Sequence, residues 1–273
     1  MKSLLAQRVL HDRTRVAFEA AGQSGIDGEF HVSDTHGLLV VLTTAPGLGF
    51  LNTITVTDDA SLPSLPEILG QFRSAGIDDP TVIAPDDDPA RAALLRELGL
   101  HPSATRPFAH IGLESAPPGS RAAVSDRVRV SPVETPEDRA RFLDVLLDGY
   151  DGSPEVERFI RAEHSTVAVD AYLAWIDDEP VAGAAMSWHE DGVVLGGAAT
   201  LAPHRGSGAQ TALLRAFQAD LATRDLAGRG RAMLAAATAA PDSPSLRNLE
   251  RAGFTVHPRR AWRSGPAGTL RDG

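Results

Sequence analysis

The sequence has no cysteine. That excludes disulfides, a thiol nucleophile and thiolate metal sites, and it fits an enzyme of the cytoplasm. Lys2 is the only lysine, set against many arginines and abundant alanine, a usage that a GC-rich genome accounts for. No stretch approaches the roughly 20 consecutive apolar residues that a membrane span needs. The opening MKSLLAQRVLHDRTRVAFEA breaks its apolar run with charge too early for a signal peptide. It reads as an amphipathic helix instead, with Leu4, Leu5, Val9, Val16 and Phe18 recurring. Positive charge is short: the formal net charge is −10. Nucleic acid is therefore a poor partner, and a cationic acceptor a better one.

The remaining composition is ordinary. Apolar residues make up 42% and charged residues 23% of the 273, enough for a sizeable core in one large domain or two of usual size. Glu114–Ser125, ESAPPGSRAAVS, is rich in proline, glycine and small polar residues without apolar periodicity. It marks a linker, with domains expected at 1–115 and 126–273 around a junction at 116–125. A new start follows: Val128 and Val130 begin a strand, and Thr135-Pro136-Glu137-Asp138 gives an N-cap, a proline and first-turn acids.

The two halves also repeat one pattern. Ala84-Pro85-Asp86 follows the strand TVIA, and ALLRELGL then leads to Arg106–Leu113. Ala240-Pro241-Asp242 follows MLAAATA, and RNLERAGF then leads to Arg259–Arg263. Each reads strand, turn, helix, glycine, strand. In the second half, Ala171–Asp177 and Val181–His189 are expected as a hairpin turning at Asp178-Glu179-Pro180, and Val193–Leu201 as a third strand. Ala209 to about Arg224 predicts a helix, with a strand at Arg231–Ala237 and a last helix at Pro244–Ala252.

The informative segment is ATLAPHRGSGAQ, from Ala199 to Gln210. A strand enters a glycine-rich loop and a helix begins at once, so free backbone N–H groups and the positive helix end converge on one point. A pyrophosphate suits that point. Gly206 and Gly208 allow close backbone approach, and Arg205 can add a charge-assisted contact. A P-loop would need Gly-Lys-Ser/Thr where Ala209-Gln210-Thr211 stand, and a dinucleotide fingerprint would need a glycine at Thr211. The run R-G-S-G-A-Q resembles instead motif A of the GCN5-related N-acetyltransferases, with Gln210 in place of the last small residue. Ser245–Phe254, SLRNLERAGF, resembles that family's motif B.

The resemblance spans about 126–263. It implies an α/β fold of two tandem domains, each a mixed central sheet flanked by helices, with a V-shaped strand split for acetyl-CoA in the second. It implies coenzyme contacts at Ala199, Thr200, Leu201, Arg205, Gly206, Ser207, Gly208, Ala209, Gln210 and Asn248. The activity implied is acetyl transfer to a primary amine of a small molecule or peptide, without a metal. The first half resembles a degenerate copy: Asp58 and Asp59 stand for the arginine, and Pro63 and Pro66 for the glycines.

Catalysis is less legible. Where the family often carries a tyrosine acid, Leu249 stands, so the donor is sought in Ser243, Ser245 or Tyr150, or the thiolate departs unaided. His189 and Glu190 are the candidate bases, although His189-Glu190-Asp191-Gly192 also reads as a plain hairpin turn. His204 reads as a loop residue, and Trp175 and Trp188 as core. The acids of 144–163, Asp144, Asp148, Asp151, Glu155, Glu157 and Glu163, offer either an ammonium-recruiting cluster or a solvated face. A silent acyl-CoA-binding module remains the second reading, and a monomer or homodimer is expected. One strand is also short: after Phe254 only TVHPRRAWR remains, so RPFAHIGL of the first half is expected to complete the second half's sheet.

Overall fold

Local chemistry sets most element boundaries. In the computed structural model, which describes residues 2–113, 127–150, 152–223 and 234–264, α1 (Lys2–Gln23) precedes β1 (Phe30–Thr35), β2 (Leu38–Thr43) and β3 (Thr53–Val56). Then come α2 (Leu65–Ser74), β4 (Thr81–Pro85), α3 (Pro89–Glu97), β5 (His101–Thr105) and β6 (Phe108–Gly112). The expected linker lies outside the described residues.

The second half begins with β7 (Arg129–Pro132), α4 (Pro136–Tyr150) and α5 (Pro154–His164). Thr135 caps α4 by accepting from the Asp138 N–H at 3.1 Å. β8 (Val169–Ile176) and β9 (Glu179–His189) form the expected hairpin, turned by Asp177 and Asp178, both left-handed at φ 50° and 63°. The turn thus lies one to two residues earlier than expected, because two consecutive aspartates tolerate the two positive φ values that a tight hairpin needs. β10 (Gly192–Thr200), α6 (Ala209–Thr223), β11 (Leu234–Thr238), α7 (Pro244–Arg251), β12 (Thr255–His257) and β13 (Arg259–Arg263) complete the order. Of the strand expected at 231–237, the first three residues lie outside the described ones.

Two mixed sheets result, ordered β1-β2-β3-β4-β13-β5 and β12-β6-β11-β10-β9-β8-β7. Each half gives a strand to the other. β6 lies antiparallel between β11 and β12, as expected of RPFAHIGL, and β13 lies antiparallel between β4 and β5. The chain-order division near 116–125 therefore does not separate the sheets. At the crossing, the Arg106 N–H donates to the Arg259 carbonyl at 2.8 Å, so the two exchanged connections brace each other.

α1 belongs to the first half by order but packs on both sheets. Ala6 and Val9 meet Phe108, Val194, Leu234 and Ala236 of the second. Ala17, Phe18 and Ala21 meet Val41 and, from α5, Phe159. No described helix is long and apolar enough to cross a membrane.

Candidate active site

β10 and β11 run parallel and pair only from Gly192↔Leu234 to Leu195↔Ala237. Beyond that they part. The cause is a bulge in β10: between Gly196↔Ala185 and Ala199↔Gly183 it carries one residue more than β9. Gly197 takes the positive φ of 58°, and a Cβ there would overlap the His164 imidazole. Only glycine fits. The edge of β10 from Gly196 onward thus faces an opening rather than a partner strand.

That opening is a cavity of about 800 Å³, walled by Leu195–Ala198 of β10, by Ala237–Pro241 at and beyond the end of β11, and by Leu213 of α6. A second space of about 450 Å³ shares Tyr150, Gly197, Thr238 and Arg259 with it and reaches the face of the first sheet at Leu39, Val41 and Ile83. The site is therefore built between the two halves. Ala199, Thr200 and Leu201 do not line the cavity: they carry its unpaired edge outward to the glycine loop while bonding β9 on the other side, the Leu201 N–H to Val181 O at 2.9 Å.

The loop has the expected form. Gly206 and Gly208 both take positive φ, 80° and 89°. Among the described residues their N–H groups have no backbone acceptor, and Arg205 is exposed and makes no ion pair. The Ala209 N–H is spanned by the Ser207 hydroxyl at 3.4 Å. Gln210 and Asn248 meet each other: Asn248 donates to Gln210 Oε1 at 2.8 Å, and Gln210 donates to the Ser245 hydroxyl at 2.9 Å. Asn248 thereby holds α7 to α6 and stays off the cavity wall, whereas Gln210 is on it.

The equivalent place in the first half is filled. Asp58 accepts from the Ser61 N–H at 3.0 Å, and Asp59 holds Arg91 at 2.5 Å, with Asp87 on the same guanidinium at 2.7 Å. Carboxylates thus sit where the second half presents open N–H groups.

The expected catalytic residues divide. Glu190 is exposed in the β9–β10 turn and lies outside both cavities, because this turn is at the paired end of β10, opposite to the split. His189 is largely buried. Its Nε2 lies 3.0 Å from the Ser187 hydroxyl, and burial, with Arg13 beside it, pulls its pKa down to about 4. It reaches the site only from behind, through a recess of about 10 Å³ shared with Gly196, Arg13 and Glu163, room for one water. Ser243 caps α7 by accepting from the Leu246 N–H at 3.1 Å.

Tyr150, Glu163 and Arg259 stand closer to the split. Tyr150 as a whole residue is 48% exposed; its hydroxyl lies beside the Ala198 backbone, and burial raises its pKa. Among the described acids of 144–163 only Glu163 lines the second space, paired with Arg13 at 2.7 Å. Asp144, at 3.8 Å from Arg161, and the exposed Asp148 and Glu157 form a solvated face, and Asp151 lies outside the described residues. Trp175 and Trp188 are core-edge residues whose indole N–H groups donate to Ser131 and Asp170. Among the described residues no group of three or more His, Asp or Glu is placed to hold a metal.

No family model and no curated sequence matches the chain. Solved structures do. A GCN5-related N-acetyltransferase from Kribbella flavida is similar over 94% of this chain and 98% of its own, at 20% identity and a TM-score of 0.59. Another from Sphaerobacter thermophilus is similar over 94% and 93%, at 16% identity and 0.60. A tandem GNAT protein from the clavulanic acid biosynthesis pathway covers 85% of this chain and 80% of its own, at 17% identity and 0.54. The fold is that of the tandem GCN5-related N-acetyltransferases.

Proposed function

We propose, from this fold and the split sheet, that the chain is an acetyl-CoA-dependent N-acetyltransferase of the cytoplasm with one coenzyme site, in the second half. The observation that carries the reading is the parting of β10 from β11 after Leu195, beside a loop in which the Gly206 and Gly208 N–H groups have no backbone acceptor among the described residues. A pantetheine arm suits the open edge from Gly196 to Leu201, as an added strand would. The N–H groups of Gly206 and Gly208, the start of α6 and Arg205 suit a pyrophosphate. Ser207, Ala209 and Gln210 shape that cradle, and Asn248 fixes Gln210.

Acetyl-CoA supplies an activated acetyl group: the amine nitrogen bonds to the thioester carbon as the carbon–sulfur bond breaks. Tyr150 takes the acid's role that Leu249 cannot fill. Its raised pKa keeps the hydroxyl protonated, ready to give its proton to the departing sulfur. Glu163 holds the acceptor's ammonium and accepts its proton. His189, neutral behind the one-water recess, relays that proton outward.

A thiol-release assay across a panel of primary amines, with calorimetry of acetyl-CoA, tests the reading. Binding at one site per chain and turnover on at least one amine class are expected. Binding without turnover on any class would leave a silent acyl-CoA module in its place.

A further inference from the structure

Arg259 is the anomaly of the molecule. It is 8% exposed, and burial, with Arg106 nearby, pulls its pKa down to about 10. It therefore remains a cation at neutral pH. A buried charge is normally matched by a carboxylate, because desolvation costs several kcal/mol. Here none is present: among the described residues Arg259 makes no ion pair. Its Nε donates to the Arg106 carbonyl at 3.1 Å, and its guanidinium lies over the Phe108 ring at 4.6 Å. The two terminal nitrogens have no hydrogen-bond partner among the described residues, and Arg259 lines both the 800 Å³ and the 450 Å³ spaces.

The placement follows from the strand exchange. Arg259 opens β13, the second half's strand inserted in the first half's sheet, and faces Arg106 at the crossing point. The crossing thus delivers one guanidinium into the space that also holds Gly197, Tyr150 and Glu163.

We infer that Arg259 is the anchor for an anionic group on the acceptor, and that the acceptor is an amine that also bears a carboxylate. This rests on the proposed acetyl transfer and narrows its substrate. A guanidinium with Nε occupied still presents its two terminal nitrogens as a fork matching a carboxylate's two oxygens. Among the described residues Glu163 is the only carboxylate lining either space, and it shares the smaller one with Arg259, so that space offers an ammonium site and an anion site together. The cationic acceptor expected from net charge becomes a zwitterion: the ammonium goes to Glu163 and the carboxylate to Arg259. Arg13 lies 2.7 Å from Glu163, so it shares that carboxylate with an incoming ammonium, whereas among the described residues Arg259 has no carboxylate partner and keeps its charge for a ligand.

Three acceptor series test this with acetyl-CoA in the thiol-release assay: amino acids, their amides, and the corresponding decarboxylated amines. Phosphoserine and phosphoethanolamine form a further arm. The wild type is expected to prefer the carboxylates by about ten- to a hundredfold in kcat/KM, the range of a lost charged hydrogen bond. Arg259→Gln is expected to abolish that preference, and Arg259→Lys to restore part of it. An equal loss on all three series in Arg259→Gln would make the residue structural and overturn the inference, as would a wild type that prefers the amides. Preference for the phosphorylated amines would replace the carboxylate by a phosphate and overturn the class named here. N-acetyl amino acids titrated calorimetrically into the intact protein give a readout independent of turnover. Binding that weakens in Arg259→Gln supports the anchor even if no amine is acetylated, and unchanged binding removes it.

Discussion

Residues 120–273 expressed alone should not fold. That fragment lacks β6, whose Phe108 and Ile111 are 2% and 6% exposed between β11 and β12, and it lacks α1, whose Val9 is wholly buried against the same sheet. Burying one such side chain contributes about 1.5–3 kcal/mol, so these three together account for about 5–9 kcal/mol. Domain stabilities are about 5–15 kcal/mol, so the deletion removes most of the margin. It also bares both inner edges, β11 and β12, which favours aggregation. Residues 1–119 lose β13 from between β4 and β5, and Trp262 from their core. The two fragments should be expressed separately and together, and compared by solubility, melting and coenzyme binding. Each alone is expected to be insoluble or to melt without cooperativity, and the pair to copurify one to one. A monomeric 120–273 fragment that melts cooperatively and binds coenzyme A as tightly as the whole chain would refute the reasoning.

Gly208→Val puts a β-branched side chain at φ 89° in the loop and should nearly abolish acetyl-CoA binding, whereas Arg205→Ala should weaken it by about 1.5–3 kcal/mol. Calorimetry that finds both unchanged, or two similar sites per chain, would sink the single-site reading. Tyr150→Phe should lower kcat by about a hundredfold or more with coenzyme affinity intact; an unaltered kcat would take the acid's role from Tyr150. Folded His11 and His189 both titrate near 4, depressed first by burial and then by neighbouring arginines, against an ordinary value of 6.5. Below 6.5 the unfolded chain takes up protons that the folded chain refuses, so stability present above 6.5 should be lost progressively down to about pH 4. A melting temperature flat across that window would contradict the burial of these rings.

Much of this was legible because it depends on near neighbours in the chain. Thr135, Ser153 and Ser243 cap helices through the residue three positions on, and Gly206 and Gly208 open the loop by their own backbone freedom. The hairpins, the loop before α6 and the Asp58-Asp59 replacement are local in the same sense. Even the borrowed strand could be inferred, since a count of strands left one place unfilled. Tertiary structure decided what lies opposite what. His189 and Glu190 are both candidate bases in sequence, but the β9–β10 turn is at the paired end of the sheet, which leaves the exposed Glu190 away from the split. Tyr150 reaches Ala198 across 48 positions, Gly197 of β10 excludes a side chain because His164 comes in from the end of α5, and Arg259 meets Arg106 only where two exchanged strands cross. Local spacing fixes dihedrals, caps and turns, which act within a few residues. The cavity's charges come from packing between elements far apart in the chain, and no pattern along the sequence encodes that directly.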